Sequence, residues 1–396
     1  MSINRLFFLS FYSLFIISFY FIGQLSFGSS NFTLLKVITI GMLLLCIIED
    51  KKILFDKYLF LYALFWVIRL LSSVYDFYLD DFLERFMRAI PIAYTLYWSS
   101  IILVRKYNGL YALVFPLIIL GVFNAVVTIF QSIGYHYFDI ILAQFNTANE
   151  EELDYIYRHG DRFGLSVSGI CGTPVKNGHY SILFLLSSFS LLKKSFWLWI
   201  VPFFIIILGV FFCQQRSAFV IVTAVSLFLM YLHFQNSKYG YLLSFLFIVV
   251  VFIVAPMVLE DLQQMDTRVT DINLDTRENL YRSAFDFIGK HPFLGGYELY
   301  CHQLHKPPHN LLLSMFVAGG ILGGLLLMGM IIVQYNLIWK QVKRNKNFVF
   351  ILFACIYIAL MADSMFHNSG LVEGDPTTWL CWGIIVGICK LKKLEK

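Results

Sequence analysis

Two neighbouring residues, His309 and Asn310, stand where a polar segment gives way to an apolar one, in the run PPHNLLLSMFVAGGILGGLLLMGMIIV. An imidazole titrates near neutral pH and can take the proton of an attacking hydroxyl, so His309 reads as a candidate general base. The plainer reading is a loop histidine beside a helix start, with Asn310 as the helix cap. A titratable group at a membrane boundary, above a tight helix contact, points to chemistry at the membrane surface rather than to anchoring alone. The small residues Gly319, Gly320, Gly323 and Gly324 are expected to let neighbouring helices approach closely.

Arginines supply the complementary chemistry. Arg216 lies in QQRSAF, in the short turn between two apolar stretches. Its guanidinium fits a bidentate clamp on phosphate oxygens; the bland alternative is an interfacial arginine reaching lipid headgroups. Arg277 and Arg282 follow Arg268 on a segment rich in acids. Together they could hold a pyrophosphate, or they pair as solvated helix charges with Asp271, Asp275 and Asp286. His291, His302 and His305 raise a metal cluster, but no metal is assigned. Lys36, Arg69, Arg85 and Arg88 lie near or within apolar stretches as salt-bridged or snorkelling residues. Arg69 is the costliest of these to expose to lipid and is expected to face a polar cavity.

The elements that must position these groups are membrane spans. The chain has 396 residues, 59% hydrophobic and 14% charged, with mean hydropathy +0.73. That composition excludes an ordinary soluble domain. A span takes about 20 mostly apolar residues, which predicts about twelve: 6–25, 32–48, 57–74, 86–104, 110–132, 178–192, 195–213, 217–235, 240–258, 310–336, 347–363 and 376–391. Arg85 and Arg88 then open the fourth. No small-residue cleavage site follows the first, which is read as retained. The expected fold class is all-α, one integral membrane domain over 1–396.

Lysine and arginine asymmetry orients the bundle. With the N-terminus inside, the inner segments hold 17 of the 30 basic residues and only Glu49, Asp50, Asp56 and Glu395 of the 25 acids. Both termini are then cytoplasmic. The net charge of +5 sits in short inner loops, which argues against a nucleic-acid partner. The seven cysteines include no CxxC pair. Cys171, Cys213 and Cys301 fall on or near the outer side, where a disulfide is conceivable but not readable from spacing.

Two outer loops are long. The first, 133–177, carries the acidic run 150–154 and the RHGDR stretch 158–162. The second, 259–309, contains an amphipathic helix from Asp275 to Gly289, with Asp275 and Glu278 as a capping box and Pro292 with Gly295-Gly296 as its stop. Leu280, Ala284, Phe287 and Ile288 form its apolar stripe. A third outer loop, 364–375, is short and acidic. No internal repeat is present.

His309-Asn310, nine residues, Gly320, two residues, Gly323 resembles the signature of the O-antigen ligase and O-antigen polymerase superfamily. TRENLYRSAFDFIGKHPFLGG resembles that family's loop block, QQRSAF its arginine at the outer end of a middle span, and SVSGICGTPVKNG the entry to the span after the first long loop. The resemblance covers roughly 160–340. It implies a GT-C-like, inverting, metal-independent glycosyltransferase of the hexosyltransferase type, without cofactor, at the periplasmic face of the bacterial inner membrane. Donor and acceptor would be undecaprenyl-diphosphate-linked oligosaccharides, with inner-membrane lipid and a chain-length regulator protein as further partners. By this analogy His309 activates the acceptor hydroxyl, Arg216 and Arg277 hold the departing diphosphate with Arg282 as helper, and Asn310 orients the histidine or the substrate. The second loop, about 50 residues long, favours a polymerase, while the fit of His309 to Gly323 matches the ligase form. A lipid-linked oligosaccharide flippase is the reading from another class; paired, similar halves would mark it, and the lopsided loops count against it.

Overall fold

The computed structural model describes residues 3–21, 34–135, 137, 167–171, 173–192, 194–213, 215–235, 274–304, 307–344, 347–367 and 370–394. The expected ninth span at 240–258, the acidic run 150–154, the stretch 158–162 and residues Arg268, Asp271 and His305 lie outside the described residues.

Among the described residues there are thirteen α-helices and no strand. In chain order they are α1 (Ile3–Tyr20), α2 (Leu34–Asp50), α3 (Lys57–Tyr75), α4 (Leu79–Tyr107), α5 (Tyr111–Ser132), α6 (Pro174–Leu192), α7 (Phe196–Cys213), α8 (Arg216–Phe234), α9 (Leu274–Lys290), α10 (Tyr297–Leu304), α11 (Leu311–Arg344), α12 (Phe348–Asp363) and α13 (Pro376–Leu394). Eleven of them occupy expected span positions. Six segments, at 57–75, 79–107, 111–132, 196–213, 217–234 and 311–344, are long and apolar enough to cross a membrane; 4–20, 348–363 and 376–391 are apolar but shorter. The chain is a polytopic helical membrane protein. Lipid solvates no backbone polar group, so helices that satisfy their own hydrogen bonds are the available spanning form.

Apolar side chains lie on both the inside and the outside of the bundle. Trp98, Tyr97, Trp379 and Trp382 are buried, while Ile40, Leu71, Phe115, Phe204 and Leu325 face outward. That outward apolar belt is what a lipid solvent requires and what water penalises. The most extensive helix pair joins α4 to α13. Gly383 and Gly387 carry it, lying against Tyr97, Ser100 and Val104, so the close approach expected of small residues is made here as well as around Gly319.

The end of the bundle holding residues 50, 57 and 107 is closed by charge. Arg105 and Lys106 pair with Asp50, Trp98 Nε1 donates to Asp50 at 2.8 Å, and Tyr97 donates to Asp56 at 2.6 Å. Asp56 also caps α3 through the amides of Tyr58 and Leu59. Glu49 lies 3.5 Å from Lys106, so the three described acids that charge asymmetry leaves at the inner end all have structural partners. α4 starts seven residues before the expected span, so Arg85 and Arg88 lie within it rather than at its opening.

At the opposite end, the loop 364–375 is packed. Leu371 and Val372 in its 3-10 turn (Leu371–Glu373) are buried, as is Asp375. Arg69 is also wholly buried, and polar groups of the protein meet its guanidinium. Its Nε and Nη2 reach Glu298 Oε1 at 3.0 and 2.5 Å, and Nη1 donates to the Val372 carbonyl at 2.7 Å. The rings of Trp66 and Tyr297 lie 4.7 and 4.5 Å from its guanidinium carbon. α10 is thereby pinned to α3 and to the 3-10 turn.

Candidate functional site

His309 and Asn310 form the turn that starts α11. His309 adopts φ +51°, a left-handed conformation uncommon outside glycine and asparagine. Asn310 Oδ1 accepts from the Leu313 amide at 3.1 Å, the geometry of a helix cap. Asn310 Nδ2 donates to the Met365 carbonyl at 3.1 Å, and the Leu311 amide donates to Ser364 O at 3.1 Å. The cap therefore also staples the His309 turn to residues 364–367, which leave the end of α12.

The glycines that follow have separate tasks. Gly319 and Gly323 face Phe65 of α3, where an added Cβ would stand 3.2–3.3 Å from the ring. Gly320 does something the expectation of helix approach did not include. With φ 59° and ψ −158° it breaks α11, and a broken helix leaves amides and carbonyls that need partners. The α9–α10 linker provides them: Gly296 N donates to Val317 O at 2.8 Å, and Ile321 N to Pro292 O at 2.7 Å. Gly295, at φ +71°, and Gly320 let the two backbones touch, since a Cβ on Gly320 would sit 2.4 Å from the Phe293 carbonyl carbon. Ser72 Oγ donates to Gly295 O at 3.1 Å, tying the joint to α3. The PFLGG of one segment and the AGG of the other are two halves of one joint.

α9 forms as expected but begins at Leu274, so Asp275 lies inside its first turn. Ala284 and Phe287 are buried and Leu280 and Ile288 half-buried, and the helix packs on α11. Arg282 points to solvent and pairs with Glu278 at 3.0 Å, both side chains about 70% exposed. That is the solvated-charge alternative, and it sets Arg282 apart from the other candidates. Arg277 stands in the first turn of α9 and Arg216 opens α8; their side chains lie outside what is described. His291 stacks on Phe287 at 4.4 Å, and the His302 ring lies tilted against Tyr78 at 5.0 Å. Among the described residues no three histidine, cysteine or acidic side chains stand together as a metal site.

Beside the His309 staple lies a cluster not assigned from sequence. His179 of α6 bridges two carboxylates, with Nδ1 2.9 Å from Asp363 Oδ2 and Nε2 3.3 Å from Asp375 Oδ2. The three side chains are 1%, 1% and 7% exposed. Asp375 also accepts from the amides of Thr377 and Thr378 at the start of α13. The second oxygen of Asp363 accepts from Ser217 Oγ at 2.9 Å and lies 3.7 Å from His367 Nε2. Ser217 immediately follows Arg216. The start of α8, the end of α12, the start of α13 and the His309 turn therefore meet at one end of the bundle, the end that charge asymmetry assigns to the outside.

The signal for this cluster was an ionisable residue within an apolar span. His179 follows SVSGICGTPVKNG directly. That stretch sets its position: Ile170 N donates to Asn124 Oδ1 at 2.9 Å, Gly169 N to Gln131 Oε1 at 2.7 Å, and Asn177 Nδ2 to Val167 O at 2.9 Å. Asn124 Nδ2 closes the set on Asn177 Oδ1 at 2.7 Å. α5 thus fixes the turn into α6. None of the described cysteines is in a disulfide, Cys171, Cys213 and Cys301 included.

Compared with known protein families, residues 201–328 match the family described as O-antigen ligase. The matched segment includes QQRSAF, α9, α10 and α11 through the Gly320 break. No curated protein matches the chain.

Proposed function

We propose that this chain, which carries the O-antigen ligase family domain over residues 201–328 and so sits with the O-antigen polymerase and ligase superfamily, is an O-antigen polymerase. The family implies glycosyl transfer. The finer reading is that a growing glycan on undecaprenyl diphosphate passes to the hydroxyl of a lipid-linked repeat unit, at the periplasmic face of the inner membrane, with both termini cytoplasmic.

One observation supports it above the rest. Asn310 staples the His309 turn to residues 364–367, and His367 of that second segment reaches Ser217, next to Arg216. A candidate base and a candidate anion clamp thus belong to neighbouring backbone segments. In the reaction, the acceptor O–H bond breaks and its proton passes to His309. The acceptor oxygen bonds to the anomeric carbon, and the bond from that carbon to the diphosphate oxygen breaks with its electron pair. Attack opposite the leaving group inverts the centre. Arg216 and Arg277 meet the charge that develops on the diphosphate, which preorganised donors stabilise strongly in a dry site. Asn310 serves by holding His309; Arg282 is at most a peripheral attraction for an anionic substrate. Charge stabilisation of this kind needs no metal.

The ligase reading, transfer of the glycan to the lipid A core, is favoured by the description of the matched family. The lipopolysaccharide ladder of a deletion strain separates the two. Loss of a polymerase leaves core bearing a single repeat; loss of a ligase leaves bare core and accumulated lipid-linked polymer. An unchanged ladder overturns both. His309→Ala should cost roughly 10²–10⁴-fold in rate, the usual worth of general-base help. Near wild-type elongation by that variant removes His309 as the base.

A further inference from the structure

The buried carboxylates of Asp363 and Asp375 have no packing reason to be there. Apolar side chains of similar volume fill such a space as well or better, and buried ionic groups are weak devices for stability. Here they are not scattered. Asp375, His179 and Asp363 form a line that runs from the start of α13, through α6, to the end of α12, and the line continues outward. Ser217 gives its hydroxyl hydrogen to Asp363 Oδ1. Its oxygen, 2.8 Å from His367 Nε2, is then placed to accept the Nε2 hydrogen. His367 is more open than the carboxylate beside it, with 12% of its side chain exposed against 1% for Asp363.

Position gives the line its meaning. His367 ends the turn whose Ser364 and Met365 carbonyls hold Leu311 and Asn310. Through Ser217 it adjoins the residue after Arg216. It therefore stands between the two segments that the transferase reading uses for base and anion clamp, with its ring fixed from behind by a hydroxyl and a carboxylate.

We infer that His367 is a second histidine of the site, an imidazolium whose Nδ1–H donates to the diphosphate of the lipid-linked donor while Nε2–H stays on Ser217, and that His179 is a positioning residue that holds it there through Asp363. This rests on the transferase reading of the same site. The transfer itself is unchanged: the acceptor proton still goes to His309, and the electron pair of the broken bond stays on the diphosphate oxygen that His367 meets. No further reactant enters. His179 contributes by keeping Asp363 in place, since an unpaired Asp363 carboxylate would turn towards Ser217, His367 or water.

The test uses the full-length protein in detergent, with farnesyl diphosphate as the binding probe and lipid-linked donor for turnover. His367→Ala should weaken farnesyl diphosphate binding and lower turnover by roughly ten- to a hundred-fold, the range for losing a hydrogen bond to a charged group. His367→Gln, which keeps an N–H donor, should recover most of the binding. Ser217→Ala removes the tether without touching the buried pair and should show a smaller loss of the same kind. His179→Gln should lower turnover as His367→Ala does, and the double variant should be no worse than His367→Ala alone, because residues acting through one another are not additive. A purely structural His179 would instead give additive losses, which overturns its positioning role. Wild-type probe binding by His367→Ala overturns the inference outright. If wild-type protein binds farnesyl diphosphate but transfers no glycan, the transferase reading fails, and the binding comparison alone still decides the role of His367.

Discussion

Arg69 and Glu298 form a fully buried ion pair across 229 residues of sequence, joining α3 to the short helix α10. Glu298 Oε2 also accepts from Ser73 at 2.9 Å, and Tyr297 donates to Glu373. Removing one partner strands a charge in a dry site, at a cost of about 3–5 kcal/mol. Arg69→Ala and Glu298→Gln should therefore both unfold at clearly lower temperature in detergent. Arg69→Met with Glu298→Leu should recover part of the loss, because neither charge remains. Equal stability of the single variants and the wild type would show that the pair carries none of the packing between α3 and α10.

The two signature glycines should respond differently. Gly320 sits at positive φ with backbone of the α9–α10 linker pressed against it, whereas Gly323 faces only the side chains of Phe65 and Ile68. Gly320→Ala should release the linker, seen as faster limited proteolysis between α9 and α10, together with loss of transfer. Gly323→Ala should cost no more than about 1–3 kcal/mol of overpacking and keep most activity. The reverse order would mean that Gly320 serves helix packing rather than the joint.

The arginines divide by surroundings. Arg282 is exposed and paired with Glu278, and surface pairs of this kind are worth about 0–1 kcal/mol; Arg282→Ala should insert, fold and elongate glycan nearly as the wild type does. Arg216 and Arg277 are proposed to grip diphosphate with the guanidinium fork. Arg277→Ala should abolish elongation with normal insertion, and Arg277→Lys should be strongly impaired, since lysine keeps the charge but not the bidentate geometry. Full activity of the Arg216→Ala and Arg277→Ala variants would reduce both to solvated charges.

Cys301 of α10 offers a pH test of how tightly that helix is held. Burial pushes its thiol up to about 11, with Arg85 pulling the other way. Only the thiolate reacts with maleimide, and an unperturbed thiol titrates near 8.5, so a raised value means less thiolate at neutral pH. In detergent-solubilised protein, labelling of the Cys301 peptide should climb about ten-fold per pH unit from 8 to 10. At pH 8 it should be slower than that of a free thiol by roughly a hundred-fold or more. A plateau by pH 9 would show the thiol to be solvated.

Much of the architecture was legible from hydropathy. The helical class, the approximate limits of the described helices and the amphipathic α9 follow from local pattern, because a lipid solvent forces long apolar stretches to satisfy their own backbones. The family resemblance also rested on local spacing, from Arg277 to Gly323. Even there the sequence showed glycines without their tasks: Gly319 and Gly323 did pack against a helix, while Gly320 proved to be a break filled by a linker 24 to 28 residues upstream.

What the sequence by itself determined is a helical membrane protein, with a resemblance to a known family over part of its length. What only the tertiary structure decided is which polar groups share a site. Arg69 was a cost in one span and Glu298 an acid in a loop, until folding made each the other's partner. His179, Asp363 and Asp375 come from three separate segments, and nothing in their spacing announces one another. The physical reason is that a hydrogen bond or ion pair acts over a few ångströms in space, while hydropathy reads only neighbours along the chain. A buried charge in a span declares that a partner exists; only packing of the helices says which one.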